Sequence, residues 1–387
     1  MLAVPLKNRV PSAKTYVKCT RYPERKVYMR RILIIITALV LLSTGADAQE
    51  KGAKNYVIGF YNLENLFDTY NDPVKNDEEF LPEGKNQWTE VKYQKKLQNM
   101  AKVIRSMKED NGAWHALLGV SEIENRLVLE DLVMEPQIAE ANYQIIHYDG
   151  PDRRGVDVAL LYKPEVFTYL DSESIPFTFE GSSIDFIMNQ EQKDYFKTRD
   201  ILMVHGTIDG EHFAIYVAHL PSRAGGKKGG NQLRDRGGEI MYNHAMMMQE
   251  KYPGIKIVCM GDMNDNPTDP SMAVYLHGKE FKEDVTDTEF FSPFTSMLKA
   301  GFGSLAYQGV WSIYDLLLVN NALANPQEGT FGLLQLHKKG YYGRIYNAKF
   351  LTNQKGQYKG TPFRTFSNGA FIGGYSDHYP TYIVITK

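Results

Sequence analysis

The chain has 387 residues, 43% of them hydrophobic and 23% charged, with 44 Lys and Arg against 46 Asp and Glu. That is ordinary globular usage, which excludes collagen-like and low-complexity architectures. A chain this long can bury roughly three quarters of its unfolded surface and needs neither disulfides nor a structural metal. Its two cysteines, Cys19 and Cys259, exclude a disulfide framework and a CxxC zinc or redox site.

In chain order, the first feature is a targeting signal. Met29-Arg30-Arg31 precedes the apolar run Ile32 to Leu42, which is followed by Ser43-Thr44-Gly45-Ala46-Asp47-Ala48. A basic stretch, a short apolar stretch and an Ala-x-Ala end read as a cleaved secretory signal, with Met29 as the expected start codon. The run is too short for a membrane span, which needs about 20 apolar residues. The expected division is therefore residues 1–48 as signal region and 49–387 as one domain, secreted or periplasmic. Nine of the 44 basic and two of the 46 acidic residues lie in 1–48, leaving 35 against 44 and a net charge of −9. A protein that grips duplex nucleic acid by general basicity is disfavoured, so any such binding must rest on a local basic patch or a bound cation.

Short runs rich in β-branched and aromatic residues then recur as predicted strands: Tyr56–Leu63, Ala116–Ile123, Val156–Tyr162, Ile201–Ile208, His212–Leu220, Ile255–Met260, Ile313–Val319 and Tyr382–Thr386. Between them, Trp88–Glu109 and Glu239–Lys251 carry helical spacing, with Val91, Leu97, Met100, Ala101, Ile104 and Met107 on the apolar face of the first. The fold class is mixed α/β. Gly225–Gly230 is Gly/Lys-rich but lacks a strand–GxxxxGKS–helix context, so it reads as a surface loop.

The strands run into acids, amides and histidines: Asn62 and Glu64, Glu122 and Glu124, His219, Asp262 and Asn264, Asp315, and Asp377-His378. Convergence at one pole of a sheet is the economical reading, because loops there vary on a rigid base. Strand period puts i and i+2 on one face, so Asn62 with Glu64, Glu122 with Glu124, and Asp262 with Asn264 are each expected to face one ligand. Asp377 and His378, as neighbours, require a turn, which Gly373-Gly374 permits. Oxygen donors without a Cys/His cluster point to Mg²⁺, Mn²⁺ or Ca²⁺ rather than zinc. His205, His212, His147 and His115 read as packing or surface residues. The late aromatics Tyr341, Tyr342, Tyr346, Tyr358, Phe363, Phe366 and Phe371 could stack bases, with packing the commoner role.

Six motifs in order carry a family resemblance: Asn62-Leu63-Glu64-Asn65-Leu66-Phe67-Asp68, Val120-Ser121-Glu122-Ile123-Glu124-Asn125, Arg154-Gly155-Val156-Asp157-Val158-Ala159-Leu160, His219-Leu220-Pro221-Ser222-Arg223, Gly261-Asp262-Met263-Asn264-Asp265 and Ser376-Asp377-His378. From about Tyr56 to the C-terminus the chain resembles the endonuclease/exonuclease/phosphatase superfamily of DNase I-like hydrolases, particularly its secreted bacterial branch. The resemblance implies a four-layer α/β sandwich of two packed mixed sheets flanked by helices. It implies that Glu122 is the main metal carboxylate, with Asn62 close by and Asp377 supporting the metal or orienting His378. Asp262 would polarise the attacking water, Asn264 would hold a non-bridging phosphate oxygen, His378 would contact the scissile phosphate, and His219 would stabilise it or protonate the leaving oxygen. Asp315 falls near a further acid of the family pattern, at an offset.

The chemistry agrees with these roles. Phosphodiester hydrolysis needs a cation at the equatorial oxygens, a base for in-line water and an acid for the leaving alkoxide. Arg223, with Arg199 and Arg364, supplies guanidinium groups that match phosphate. Glu64, Glu124 and Asp265 are expected beside the site or solvated, and Arg154 with Asp157 as an ion pair or in the site. The expected activity is a Mg²⁺- or Mn²⁺-dependent phosphodiesterase, first a nuclease acting on nucleic acid. The rivals are a phosphatase or phospholipid phosphodiesterase of the same superfamily, acting on inositol phosphates or choline-phosphate lipids, and a catalytically silent binding module. No protein partner is legible.

Overall fold

The computed structural model describes residues 53–223, 230–367 and 369–387. The predicted signal region and residues 225–229 of the Gly/Lys segment lie outside the described residues. The strands are β1 (Asn55–Leu66), β2 (His115–Ile123), β3 (Gln144–His147), β4 (Asp157–Tyr162), β5 (Phe167–Ile175), β6 (Ile201–Ile208), β7 (Glu211–His219), β8 (Lys256–Asp262), β9 (Gly278–Lys279) and β10 (Phe290–Phe291). They continue as β11 (Leu305–Tyr307), β12 (Val310–Ser312), β13 (Asp315–Asn320), β14 (Gly332–Leu333), β15 (Gly343–Ile345), β16 (Phe366–Ser367), β17 (Ala370–Phe371) and β18 (Thr381–Thr386). The helices are α1 (Glu90–Asn111), α2 (Arg126–Met134), α3 (Gln190–Tyr195), α4 (Gly230–Lys251), α5 (Thr295–Lys299) and α6 (Asn321–Ala324).

Two seven-stranded mixed sheets form the core. One runs β14-β18-β1-β2-β4-β3, with β15 also on β18, and the other runs β5-β6-β7-β8-β13-β10-β9. They pack face to face, β1 against β8 and β13, β2 against β7 and β8, and β4 against β6 and β7. Helices α1 and α2 cover the outer side of the first sheet and α4 that of the second, which gives the four-layer sandwich that the resemblance implies. Burial on both faces explains why β1, β2 and β8 read as continuous apolar runs instead of alternating ones.

The departures from the expected elements have local causes. Helix α1 buries Tyr93, Leu97, Met100, Ala101, Ile104 and Met107 but leaves Val91 exposed, and it stops at Gly112, whose φ of 74° lies in the left-handed region that glycine enters without strain. Trp88 precedes the helix and donates its Nε1–H to the Phe67 carbonyl at 2.9 Å. Helix α4 begins nine residues before the expected Glu239, running through Gly237 and Gly238, a pair that reads as a breaker. A Cβ at Gly237 would meet the Leu220 side chain and one at Gly238 the Ser271 carbonyl, so the glycines let the helix approach the loops after β7 and β8. Strand β5 escaped prediction because most of its residues are exposed at a sheet edge and carry no apolar period.

Candidate active site

Chain direction decides which residues meet. Strands β1 and β2 run parallel, as do β7 and β8, and the second pair places His219 beside Asp262. On the other side of β8, antiparallel β13 places Asp315 opposite Asp262. Asp315 therefore opens its strand rather than closing it, and it reaches the pole because its strand runs the other way. Asp377 and His378 likewise lie in a bend just before β18, which is antiparallel to β1.

At this pole Asn62, fully buried, donates from Nδ2 to Glu122 Oε1 at 3.1 Å and to Asp262 Oδ2 at 3.0 Å, bridging the two sheets. His219 Nε2 lies 3.9 Å from Glu122 Oε1 and 3.7 Å from Asp262 Oδ2. His378 Nε2 lies 3.8 Å from Asp262 Oδ2, while its Nδ1–H donates to Asp315 Oδ2 at 2.8 Å. Ser376 Oγ donates to the Asn62 carbonyl and accepts the His378 amide, which fixes the closing turn against β1.

The expectation that i and i+2 carboxylates share a ligand is overturned for Asn62–Glu64 and Glu122–Glu124. Glu64, Asn65, Glu122 and Asn264 have φ of 48°, 55°, 58° and 51°, and the β1–β2 and β2–β4 registers shift at the first two motifs. A left-handed residue breaks the two-residue alternation. Glu64 turns to Arg364 Nε and the Thr365 amide, and Glu124 accepts the Asp68 amide. Asn264 donates its backbone N–H to Asp262 Oδ1 and its Nδ2–H to the Leu220 carbonyl, so it braces the end of β8 against the loop after β7.

Three further expectations need correction. The carboxylate that holds the His378 ring is Asp315, because Asp377 points instead to Arg364 Nη2 at 3.0 Å. Arg154 contacts Asp152 at 3.6 Å and not Asp157, which lies 3.4 Å from His147 Nε2 and accepts the Gly150 amide. The arginines expected to wait for phosphate are engaged. Arg223 bonds Asp265, Asp269 and the Asn264 carbonyl, Arg199 bonds Asp152 and the His219 and Leu220 carbonyls, and Arg364 bonds Glu64 and Asp377. Asp265 thus serves a structural cluster with Arg223, Arg234 and Ser271. His115 is buried with its ring edge-on to Tyr382 and no hydrogen bond at either nitrogen, and His205, His212 and Tyr252 form a cluster of three mutually packed rings.

Sequence reasoning missed Ser304, whose hydroxyl donates to Asp315 Oδ2 at 2.5 Å, and Lys96, a buried lysine of α1 that donates to Thr365 Oγ1 and the Tyr375 carbonyl. A serine in a loop carries no signal. A lysine at a core position of a helical period does, since lysine is almost never fully buried without partners.

The electrostatics divide the two histidines. Burial, helped by the charges of Arg199 and Arg154, holds His219 well below the usual imidazole value, so its ring is neutral. Burial also opposes charge on His378, but the carboxylates of Asp315 and Asp262 outweigh it and hold that ring well above the usual value. Burial, against the pull of His378 and with repulsion from Asp315 and Glu122, pushes the Asp262 carboxyl up to about 6.

Donor atoms of Glu122, His219 and Asp262 lie within 4.8 Å of one another, a set able to hold a metal ion. Two carboxylates facing each other with a neutral imidazole suit a divalent cation, and Asp377 is outside that set.

Two mixed sheets under helices, with acids and histidines meeting at one pole, define a DNase I-like hydrolase fold. The chain belongs to the Endonuclease/Exonuclease/phosphatase family, whose model matches residues 57–387. Among solved structures it is similar to a mannosyl-6-phosphatase of Bacteroides thetaiotaomicron VPI-5482, with a TM-score of 0.50 and 14% identity over 85% of this chain and 99% of that one. An endonuclease/exonuclease/phosphatase family protein from Bacteroides thetaiotaomicron gives 0.49 and 11% over 86% and 95%. A humanized D. rerio TDP2 gives 0.46 and 12% over 86% and 99%. No curated protein matches the sequence. No helix among the described residues is long and apolar enough to cross a membrane.

Proposed function

We propose that the protein is a divalent-cation-dependent phosphoric ester hydrolase that directs water in line at phosphorus. The observation that carries the reading is the meeting of Glu122, His219 and Asp262 within 4.8 Å beside a His378 ring held by Asp315. Glu122 and Asp262, with His219 Nε2, would hold Mg²⁺ or Mn²⁺, and a bound cation would neutralise charge on the phosphoryl oxygens. Asp262 is buried, with Oδ2 accepting from Asn62 Nδ2 and Oδ1 from the Asn264 amide, so its carboxylate is fixed where it would polarise the attacking water beside the cation. Positively charged His378 donates from Nε2 to a phosphoryl or leaving oxygen, with Asp315 fixing the ring. His219 keeps a neutral ring beside both carboxylates.

A small phosphoric ester is favoured over a polynucleotide by one observation: the guanidinium groups of Arg199, Arg223 and Arg364 already face carboxylates. A polynucleotide site needs free cations along its backbone. We also propose export, supported by the basic, apolar and Ala-x-Ala order of residues 29–48, which N-terminal sequencing of the protein recovered from cells would check.

Turnover of bis-p-nitrophenyl phosphate, inositol phosphates, sphingomyelin, RNA and plasmid DNA, after EDTA treatment and after addition of Mg²⁺ or Mn²⁺, tests the reading. Metal-restored hydrolysis of the small esters is expected. Turnover indifferent to EDTA removes the cation from the proposal, and preferred cleavage of DNA or RNA restores the nuclease reading.

A further inference from the structure

A cavity of about 660 Å³ opens beside the candidate active site, with Arg364 and Asp377 in its wall. Asp377 is the chain neighbour of His378, so the bend that carries the His378 ring borders the cavity. One wall is the hairpin β11–β12. Its turn residues Gln308 and Gly309 have φ of 49° and 80°, the pair of left-handed residues that a tight two-residue hairpin turn requires. The base of this hairpin is fixed to the chemistry. Ser304 bonds Asp315, the Tyr379 amide donates to the Ser304 carbonyl, and Trp311 stacks on Tyr379 at an interplanar angle of 14°. The tip is open: Tyr307 is 72% exposed. The lining also carries Tyr358, 47% exposed, and Ile372, 40% exposed.

Large apolar side chains left exposed around one concavity mark a binding surface, whereas scattered ones do not. Here the aromatic faces are accompanied by the uncharged amides of Gln308 and Gln357. Arg364 is the single cation of the described lining, and Glu64 and Asp377 match its charge. Sites that track a nucleic-acid strand combine stacking aromatics with a positively charged groove, and this cavity has the first without the second.

Resting on the hydrolase reading, we propose that this cavity receives the uncharged ring of the alcohol esterified to the reacting phosphate, a sugar ring. Tyr307 and Tyr358 stack on its faces, and Gln308 and Gln357 bond its hydroxyls. The substrate class is then a sugar phosphate ester, with one phosphoryl group at the Glu122–Asp262 pole and no polyanionic continuation.

The test compares kcat/KM for a hexose 6-phosphate, thymidine 5′-phosphate, ring-less glycerol phosphate and a single-stranded oligonucleotide, in wild type, Tyr307→Ala, Tyr358→Ala, the double Ala variant and the two Tyr→Phe variants. Tyr70→Ala, exposed elsewhere, is the control. The ratio of hexose to glycerol ester is expected to exceed tenfold in wild type, to fall at least tenfold in the double Ala variant through KM, and to return with Phe. A nucleotide ester that outruns the hexose ester assigns the ring site to a base and overturns the sugar. A preferred oligonucleotide, or a ratio unmoved by either Ala variant, overturns the cavity's role. Calorimetric titration of the free hexose, which carries no phosphate for the metal-free carboxylates to repel, separates the two proposals in EDTA. Binding that the Ala variants weaken, without turnover of any ester, keeps the cavity and removes the hydrolase, whereas absence of binding in wild type removes the cavity itself.

Discussion

His378 Nδ1 lies 2.8 Å from Asp315 Oδ2, a pair that joins residues 63 positions apart and outweighs the burial of the imidazole. A buried histidine alone is neutral at neutral pH, and the carboxylate is what makes this one a donor. In Asp315→Asn, burial should therefore dominate and the His378 pKa should fall. NMR titration of the metal-free protein reads that shift directly, and turnover should drop by about 10². A His378 titration that stays in place would show that Asp315 does not set its charge.

Asp262→Asn keeps the shape of the residue and its contact with the Asn264 amide but removes the proton acceptor. A loss of at least about 10² in kcat is expected with the thermal transition unchanged. Both Asp262→Asn and Glu122→Gln should weaken Mn²⁺ affinity, measured by calorimetry, before they affect the fold. Wild-type Mn²⁺ binding in Glu122→Gln would take that carboxylate out of the ligand set.

Glu124 gives a pH dependence of stability. Burial, with the charges of Asp68, Asp77 and Asp72 adding to it and the Asp68 amide opposing, pushes its carboxyl up to about 8. An unfolded glutamate releases its proton near pH 4.3, so between there and about 8 the folded chain holds a proton that the unfolded chain has lost. Stability should fall across that window, by on the order of a few kcal/mol, and level off above it. Glu124→Gln should flatten the slope and raise the urea midpoint at pH 8 but not at pH 4. Parallel midpoint profiles for both proteins would contradict the assignment.

Gly261 precedes Asp262 on β8, and a Cβ there would run into the Ala218 carbonyl oxygen of β7. Gly261→Ala should force the two strands apart at the point where His219 faces Asp262, with about 1–3 kcal/mol of stability lost. Denaturant unfolding at unchanged m-value checks it, and an unshifted midpoint would mean that the strands yield without strain.

The legible part of the site is the part written in strand ends. The apolar runs before Asn62, Glu122, His219 and Asp262 state where each strand stops, and register places the residues together. Asp315 and His378 were legible as residues but not as partners, because that requires knowing that β13 is antiparallel to β8. The engagement of Arg199, Arg223 and Arg364 was hidden for a similar reason: Asp152, Asp265 and Glu64, which answer them in turn, lie at least 42 positions away, and a sequence motif shows the cation without its counter-ion. The two-residue alternation failed where Glu64, Glu122 and Asn264 leave the β region, a choice of backbone made by tertiary contacts.

Those left-handed residues have an evolutionary consequence. Each non-glycine residue held at such angles costs on the order of 1–3 kcal/mol, and three of them sit where the acids and amides of the pole are aimed. Exchange of Glu122 or Asn264 for glycine would relax the backbone while deleting the group it displays. Selection for robustness alone would drift towards a sturdier and inert descendant, so persistence of these awkward angles in a lineage is itself a record of use.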